Sequence, residues 1–415
     1  MNILFLNAFH YLKGGSETVY FNTAELCREQ GNKVSFFALK WPENLPSDYD
    51  KYFAESKETR TGVTGKIANI INYFYHFDAA DKLESLIEAE RPDVAFIHLI
   101  WGQLTPSVLK VLKKHNIPAI LVAHDYRLIC PNYMFSNGSG EICEDCKGNK
   151  FFSCVRNRCC RGSLAMSAMM ALEQRLRNQF FNPVKYLSGI VYVSDFSHRK
   201  HIEHMPALAD VASLTLHNFT RNIADEPAKK DDYFLFLGRL SREKGGETMI
   251  RAFAKRTDLK LKIAGTGPEE ERLRNLAEEI GAKNIEFLGY ITGEPKRKLT
   301  AEARFVIVPS EWYENNPMSV IESLSLGTPV IGANIGGIPE IITEGKTGYL
   351  FESGNPDSLC EALDKASTND GYEQMCRQAL QYARTEFSPL TYYPRLIEFA
   401  QKVRAGNAPS NLAKK

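Results

Sequence analysis

No stretch of the 415-residue sequence approaches the roughly 20 consecutive apolar residues that a membrane-crossing helix needs. The chain also lacks a strong charge of either sign, because 51 Lys and Arg side chains balance 50 Asp and Glu side chains to a net charge of +1. That balance gives no global electrostatic argument for nucleic-acid binding. The first residues, Met1–Asn7, lack the basic start and apolar core of a secretory leader. We therefore expect a buried first strand and a cytoplasmic protein.

The composition excludes several other classes of protein. Hydrophobic residues make up 44% of the chain and charged residues 24%, which fits neither a disordered, nor a collagen-like, nor a coiled-coil sequence. At about 100–200 residues per domain, a chain of 415 residues indicates two or three globular domains. We find no internal repeat with a period of about 20–50 residues.

Short apolar runs alternate with helical patterns in both halves of the chain. In the first half we predict strands at Ile3–Ala8, Lys33–Leu39, Asp93–Leu99, Ala119–His124 and Ser188–Ser194. After a polar segment at His217–Asp232 the alternation of strands and helices resumes. We predict strands there at Tyr233–Leu237, Lys260–Ala264, Asn284–Leu288, Phe305–Pro309 and Val330–Gly332. This alternation predicts an α/β fold of two Rossmann-like domains that face an interdomain cleft.

The same pattern sets the predicted domain limits. We expect an N-terminal Rossmann-like domain over 1–217 with a cysteine-rich insert at 130–160, and a C-terminal Rossmann-like domain over 218–389. We expect the last segment, 390–415, to form a helix that packs back on the first domain and to end in a tail.

Glycine-containing loops follow the first predicted strand of each domain. Gly14-Gly15 opens a helix, where close backbone approach and the helix N-terminus suit a phosphate. Gly238-Arg239 is followed by Lys244-Gly245, and a planar guanidinium with a mobile ammonium can grip a diphosphate. An ordinary turn and a solvated basic loop are the structural alternatives.

The segment Ser310–Glu322 follows a strongly apolar strand, and two of its glutamates, Glu314 and Glu322, are candidate binding residues. Pro317 suits the first turn of a helix, so Glu314 lies on the loop and Glu322 more than a turn inside that helix. They are too separated to share one proton, and we expect one to bind a sugar hydroxyl and the other a ribose diol. The alternative for each is a solvated charge.

The ordered motifs resemble those of family 4 of the retaining glycosyltransferases, which have the GT-B architecture. The motifs are Gly14-Gly15 with Glu17, His124-Asp125, Gly238-Arg239 with Lys244-Gly245, Gly265-Thr266-Gly267, and Glu314 with Glu322. The resemblance covers nearly the whole chain and includes bacterial surface-polysaccharide glycosyltransferases. It implies that Arg239 and Lys244 bind a donor diphosphate, with Gly15 beside it, that Glu322 binds the ribose and that Glu314 binds the transferred sugar.

The same resemblance implies a catalytic set of His124, Glu314, Arg239 and Lys244, with His124 contacting the sugar or its phosphate. The expected activity is metal-independent, retaining transfer from a nucleotide-diphosphate sugar to a hydroxyl of a glycan or lipid-linked acceptor, in cell-surface polysaccharide or glycolipid synthesis. The donor is a substrate, and no cofactor is needed for catalysis. A nucleotide-sugar epimerase or phosphorylase on the same fold, and a non-catalytic nucleotide-sugar-binding protein, are the alternatives.

Six of the nine cysteines lie between Cys130 and Cys160. The spacing of Cys143 and Cys146 is that of a metal knuckle, and Cys130 with Cys159 can complete a structural zinc site. Reduced thiols and disulfides are the alternatives.

Several arginines flank an apolar helical run at Leu164–Leu172. Such an element can rest on an anionic membrane, which would place the protein peripherally at the inner membrane face. A core helix with basic ends is the alternative.

Overall fold

The computed structural model describes residues 1–56, 69 and 71–406. The chain divides into two compact units. Unit 1 comprises Met1–Leu216 and Tyr393–Lys415, and unit 2 comprises His217–Tyr392. The last part of the expected C-terminal tail, 407–415, lies outside the described residues.

Within its described residues, unit 1 is built on a six-stranded parallel sheet. The strands of unit 1 are Asn2–Leu6 (β1), Lys33–Phe37 (β2), Leu39–Lys40 (β3), Ala54–Glu55 (β4), Val94–Ile97 (β5), Ala119–Ala123 (β6), Gly189–Tyr192 (β7) and Ser213–Thr215 (β8). The order in the main sheet is β2-β1-β5-β6-β7-β8, and β3 pairs with β4 separately. The α-helices are Gly15–Glu29 (α1), Phe77–Glu90 (α2), Ser107–Lys114 (α3), Phe152–Arg156 (α4), Leu164–Phe180 (α5) and Asp195–His204 (α6).

Unit 2 repeats this plan with a second six-stranded parallel sheet among the described residues. Its strands are Phe234–Leu237 (β9), Leu261–Ala264 (β10), Ile285–Gly289 (β11), Phe305–Val308 (β12), Val330–Ala333 (β13) and Gly348–Phe351 (β14), in the order β11-β10-β9-β12-β13-β14. The α-helices are Gly246–Lys255 (α7), Glu270–Glu279 (α8), Gly293–Glu302 (α9), Met318–Ser325 (α10), Ile338–Ile341 (α11), Pro356–Ser367 (α12) and Tyr372–Glu386 (α13). The predicted α/β class with two Rossmann-like domains is confirmed.

The central strands are apolar on both faces because helices cover both sides of each sheet. In β12, Phe305 and Ile307 belong to one apolar cluster, and Val306 and Val308 belong to the cluster on the opposite face. The predicted positions of such strands follow from these continuous apolar runs. The edge strands β8 and β14 of the two main sheets were not predicted.

A last helix, Pro389–Arg404 (α14), begins in unit 2 and continues in unit 1. In unit 1, Phe399 and Val403 lie against Gly189 of β7, where an added Cβ would meet their side chains at 3.0–3.1 Å. Arg404 pairs with Asp93 at 2.8 Å. These contacts fix the end of the helix on the unit that also contains the N-terminus.

Candidate active site

In unit 2, the loops after β9 and β12 carry the charged residues singled out in the sequence. The two strands are parallel neighbours, with Phe236 paired with Ile307, so their carboxyl ends lie at the same edge of the sheet. Arg239 and Lys244 follow β9, and Glu314 follows β12. The loops are also tied directly, because the amide of Glu311 donates to the carbonyl of Glu243 at 2.8 Å.

Lys244 and Glu314 form an ion pair at this edge. The Lys244 Nζ lies 2.6 Å from Glu314 Oε1, which also accepts a hydrogen bond from Ser310 Oγ at 2.9 Å. Burial by itself would raise the pKa of Glu314, but Lys244 and Ser310 oppose that effect and the pKa is lowered. The site therefore holds an ionised, nearly buried carboxylate beside a cation.

Two glycines near this ion pair allow separate backbone segments to pass close to each other. Gly245 has φ +68°, and a Cβ there would lie 1.8 Å from the carbonyl oxygen of Pro309. Gly336 has φ +62°, and a Cβ there would lie 2.4 Å from the carbonyl oxygen of Glu314. The amide of Gly337 donates to that same oxygen at 2.7 Å. Glu314 is thus held from the loop after β13 as well as by Lys244.

The other two predicted residues of unit 2 are placed differently. Arg239 is exposed on the loop after β9, and its side chain has no hydrogen bond or ion pair with any other described residue. Glu322 lies on α10 and pairs with Lys296 of α9, with 2.6 Å between Nζ and Oε2. The structure therefore joins Lys244 to Glu314, leaves Arg239 available to a ligand, and gives Glu322 a separate ion pair.

In unit 1, polar groups also collect where strands end. Gly15 is the first residue of α1, and Gly14 precedes it in extended backbone. Glu17, in the first turn, is 1% exposed and accepts from Ser16 Oγ at 3.0 Å and from Asn7 Nδ2 at 3.5 Å. Asn7 directly follows β1, and its Oδ1 accepts from the amide of Leu99 at 3.0 Å. A carboxylate is therefore built into the Gly-Gly loop.

His124 follows β6 and is hydrogen-bonded to a second histidine. Its Nε2 lies 2.8 Å from Nδ1 of His98, which follows the neighbouring strand β5. Burial lowers the pKa of His124 to about 4 and holds the pKa of His98 well below its ordinary value. Both rings are neutral at physiological pH.

Sequence reasoning missed His98, Asn7 and Ser310 as candidates for the site. Each lies within two residues of the carboxyl end of a strand, at the sheet edge where open α/β sheets bind ligands. That position was the available signal. The same position identifies His124 after β6, and it holds equally for these three residues.

The loop after His124 is fixed by a buried charge cluster. Glu173 of α5 accepts from Arg127 Nη2 at 3.0 Å and pairs with Arg177 Nε at 3.1 Å. Arg177 also donates to the carbonyl of Arg127 at 2.9 Å, and the amide of Arg127 donates to Asp125 Oδ1 at 2.9 Å. The helix α5 thus supports the residues that directly follow His124.

The predicted zinc site is not supported. Among the described residues, no group of three or more His, Cys, Asp or Glu side chains is arranged to hold a metal ion. Of the four proposed ligands, Cys130 and Cys146 are buried, and burial raises the pKa of their thiols to about 11 and about 12. All four proposed ligands, Cys143 and Cys159 included, are free thiols that form no disulfide. The insert instead packs Cys154, Cys159 and Cys160 with Phe151 in a small apolar core.

No helix in the described part of the chain is long and apolar enough to cross a membrane.

Comparison with known families gives two matches along the chain. Residues 218–386 match the family described as glycosyl transferases group 1. Residues 13–141 match glycosyltransferase family 4. The first match contains the Lys244–Glu314 pair, and the second contains Gly15 and His124.

Individual relatives match part of the chain. An uncharacterized glycosyltransferase of Methanocaldococcus jannaschii is 35% identical over 161 residues, which cover 38% of this chain and 40% of that protein. The D-inositol 3-phosphate glycosyltransferase of Corynebacterium glutamicum is 34% identical over 165 residues, covering 36% of this chain and 38% of that protein. The matches thus span less than half the length of these relatives.

Solved structures match over nearly the whole length. HepE from Anabaena, in complex with UDP and glucose, has 16% identity and a TM-score of 0.66 over 96% of this chain and 98% of that one. The sucrose-phosphate synthase of Thermosynechococcus elongatus has 14% identity and a TM-score of 0.66, covering 98% of this chain and 100% of that one. At such identities the likeness establishes the fold. With both halves matched, the chain belongs to the family 4 and group 1 glycosyltransferases of GT-B fold.

Proposed function

We propose that this chain is a retaining glycosyltransferase that moves a sugar from a nucleotide-diphosphate sugar to an acceptor hydroxyl, in the synthesis of a cell-surface polysaccharide or glycolipid. The observation that carries the proposal is the ion pair between Lys244 and Glu314 at the edge of the unit 2 sheet, 2.6 Å long. It combines, at one point, a cation for a phosphate and a carboxylate for a sugar hydroxyl.

The reaction requires these residue types. Breaking the bond between the anomeric carbon and the diphosphate builds negative charge on the leaving group, and positioned cations stabilise it. Lys244 and the unpaired Arg239 supply those cations, and Glu314 accepts a hydrogen bond from the sugar. The departing phosphate can take the proton of the acceptor hydroxyl, so no dedicated base is required.

The two units have different tasks in this proposal. Unit 2 binds the donor, with Glu322 at the ribose, and unit 1 binds the acceptor. His124 of unit 1 contacts the sugar of that donor, and Gly15 lies beside its diphosphate. Among the neighbours in fold, HepE is known in complex with UDP and glucose, which fits a nucleotide-sugar donor.

The proposed transfer needs no metal ion, because cationic side chains balance the diphosphate. We expect turnover to be unchanged after dialysis against EDTA. A loss of turnover that Mg²⁺ or Mn²⁺ restores would contradict this part of the proposal.

The test is a panel of UDP- and GDP-sugars in a thermal-shift assay, followed by product analysis with and without an acceptor. A donor at about 100 times its dissociation constant stabilises the folded state by about 2.7 kcal/mol. We expect one donor to bind, and to be consumed with retention only when acceptor is present. Turnover without an acceptor would favour an epimerase, phosphate-dependent cleavage would favour a phosphorylase, and binding without turnover would favour a non-catalytic protein.

We further propose peripheral contact with an anionic membrane through α5. The polar side chains Glu173, Gln174 and Arg177 are buried, whereas Leu164 and Leu172 on the opposite side are 55% and 49% exposed. A helix that buries its polar side and exposes leucines favours an apolar partner over solvent. The same helix also packs Ala171, Met166 and Met170 against the apolar cluster of the insert, so only its outer side is available to such a partner.

The charges beside these exposed leucines favour an anionic partner. The exposed positions of α5 carry no acidic residue. Arginines flank the exposed leucines at both ends, with Arg161 just before the helix and Arg175 within it. Neither arginine has an ion pair with another residue of the described chain. Apolar side chains between unpaired arginines are what the surface of an anionic bilayer attracts.

Co-sedimentation tests this contact, with vesicles of phosphatidylcholine alone or with phosphatidylglycerol. We expect binding only to the anionic vesicles, and its loss in the variant Arg161→Glu with Arg175→Glu. The matched control, Arg251→Glu with Arg272→Glu in unit 2, retains binding. Equal binding to both vesicles, or self-association through this face in sedimentation velocity, would contradict it.

A further inference from the structure

His98 is a buried histidine for which the reaction proposed above has no role. It lies directly after β5, as His124 lies directly after the neighbouring strand β6. The two rings are nearly parallel, with 22° between their planes and 4.9 Å between their centroids. The distance of 2.8 Å between His98 Nδ1 and His124 Nε2 is that of a hydrogen bond.

The surroundings of His98 limit where its proton can be. Its side chain is 2% exposed and lies beside the rings of Phe5 and Tyr20, at 6.1 and 5.2 Å. Its other nitrogen, Nε2, is buried and has no hydrogen-bond partner among the described residues. Burial holds the pKa of His98 well below its ordinary value, so the ring is neutral and has one N–H.

Two tautomers of His98 remain. With the proton on Nε2, the ring would bury a donor that has no acceptor, at a cost of roughly 1–3 kcal/mol. With the proton on Nδ1, the donor is used in the bond to His124, and only a lone pair stays unpaired. Orphaned buried donors are rarer in proteins than under-used acceptors, so the second tautomer is favoured.

We propose that His98 is a positioning residue for His124: its Nδ1–H donates to Nε2 of His124 and keeps the single proton of that ring on Nδ1. The proposal rests on the function proposed above, in which His124 contacts the donor sugar. His124 then meets the donor as a neutral N–H group whose Nε2 lone pair is already occupied. It acts as a hydrogen-bond donor to an oxygen and not as a base through Nε2.

The direct test is the nitrogen NMR spectrum of protein labelled with ¹⁵N-histidine, with His98→Asn and His124→Asn variants to assign the two rings. In the wild type at pH 7 we expect both rings to be neutral and to carry their proton on Nδ1. A proton on Nε2 of either ring would overturn the proposal. This measurement needs no substrate, so it decides the point even if no glycosyl transfer is found.

Two substitutions at His98 then separate positioning from simple packing. In His98→Asn, the side-chain amide keeps an N–H donor attached to Cγ, as in the wild-type tautomer. In His98→Leu, volume is kept and the donor is lost. We expect His98→Leu to lower kcat about tenfold or more with little change in KM for the donor, and His98→Asn to restore most of that loss.

An equal loss in both variants, or wild-type kcat in His98→Leu, would overturn the proposal. If the wild type consumes no donor at all, the function proposed above fails. The tautomers seen by NMR then still decide whether His98 orients His124.

Discussion

Lys244 can balance a buried carboxylate and still meet a ligand. Its ammonium group is 2.6 Å from Glu314, yet 28% of the Lys244 side chain is exposed, compared with 8% for Glu314. In the proposed reaction, a phosphate oxygen adds to the same cation on its exposed side. The pair is therefore a prepared site, in which the cation is already oriented before the donor arrives.

The first prediction follows from that geometry. Replacing Lys244 by Met should lower turnover by roughly 10²-fold or more, because the leaving group loses a positioned cation. Initial rates at saturating donor measure the effect, and circular dichroism checks the fold. Lys255→Met, at an exposed lysine paired with Asp357, is the control and should retain activity. Near-normal turnover in Lys244→Met would remove this residue from the mechanism.

A second prediction concerns Gly336, which lets the chain pass close to Glu314. An alanine Cβ there would lie 2.4 Å from the carbonyl oxygen and 2.7 Å from the nitrogen of Glu314, so Glu314 must shift. We expect Gly336→Ala to weaken donor binding about tenfold or more, measured by calorimetry.

Gly345 provides the matched control for this prediction. It has a similar φ of +73°, but nothing lies within 4 Å of an added Cβ. Gly345→Ala therefore introduces the same backbone strain, about 1–2 kcal/mol, without moving Glu314. Equal donor affinity in the two variants would show that Gly336 does not position Glu314.

At the residue scale, the sequence indicated which side chains carry charge at strand ends but not which of them meet. Glu314 and Lys244 were both candidates from their motifs, yet their 2.6 Å contact depends on β9 and β12 being neighbours. His98 was missed because a single histidine after an apolar run has the same local pattern whether it is packed or functional. Its role depends on a partner 26 residues away.

At the scale of elements, α5 has its polar side inside. Glu173 stands between Arg127 and Arg177, and all three are at most 5% exposed. A buried ion cluster of this kind holds its geometry because each charge needs its partners, and removing one partner is much more costly than replacing all of them. The cluster anchors α5 to the loop that follows His124.

Glu173→Gln should therefore destabilise unit 1 strongly. Two buried guanidinium groups lose their shared counter-charge, and we expect a loss of about 3–5 kcal/mol in the free energy of unfolding. Urea denaturation measures it. The control is Glu247→Gln, whose partners Arg251 and Arg272 are about half exposed, and it should cost about 1 kcal/mol or less. Similar losses in both variants would contradict the assigned role.

The sequence predicted the central strands better than the edge strands, and it predicted strands better than the side on which a helix packs. Strands such as β6 and β12 are continuous apolar runs, which indicate burial on both faces. The strand β8 has only three residues, and its pairing with β7 is a tertiary effect. In α5 the apolar run did not reveal that Glu173 and Arg177 are buried while Leu164 and Leu172 are exposed.

At the scale of the whole molecule, buried histidines are concentrated in unit 1. Burial lowers the pKa of His10, His124 and His201 to about 4 each, in His10 with Arg28 adding to the effect, and it holds the pKa of His98 well below its usual value. The sequence of unit 2 contains a single histidine, His217. The two units should therefore differ in their response to acid.

This distribution predicts acid destabilisation of unit 1. In the unfolded chain these histidines titrate near pH 6.5, whereas in the folded state the pKa of His10, His124 and His201 is about 4 and that of His98 is well below its usual value, so the unfolded chain binds more protons in between. Stability is intact above pH 6.5 and falls as the pH drops toward 4, by about 1.4 kcal/mol per pH unit for each such histidine. Hydrogen exchange at pH 7 and 5 should show a loss of protection in unit 1 peptides that unit 2 peptides do not share. Equal losses in both units would contradict this.

The central claim is that Lys244 and His124 both take part in binding a nucleotide-sugar donor, and a binding measurement with separate variants tests it most directly. Calorimetry compares the nucleoside diphosphate alone with the complete nucleotide sugar, in the wild type, in Lys244→Met and in His124→Ala. We predict that Lys244→Met weakens binding of both ligands, whereas His124→Ala weakens only the nucleotide sugar. Wild-type affinity of His124→Ala for the nucleotide sugar would contradict the claim that His124 takes part in donor binding.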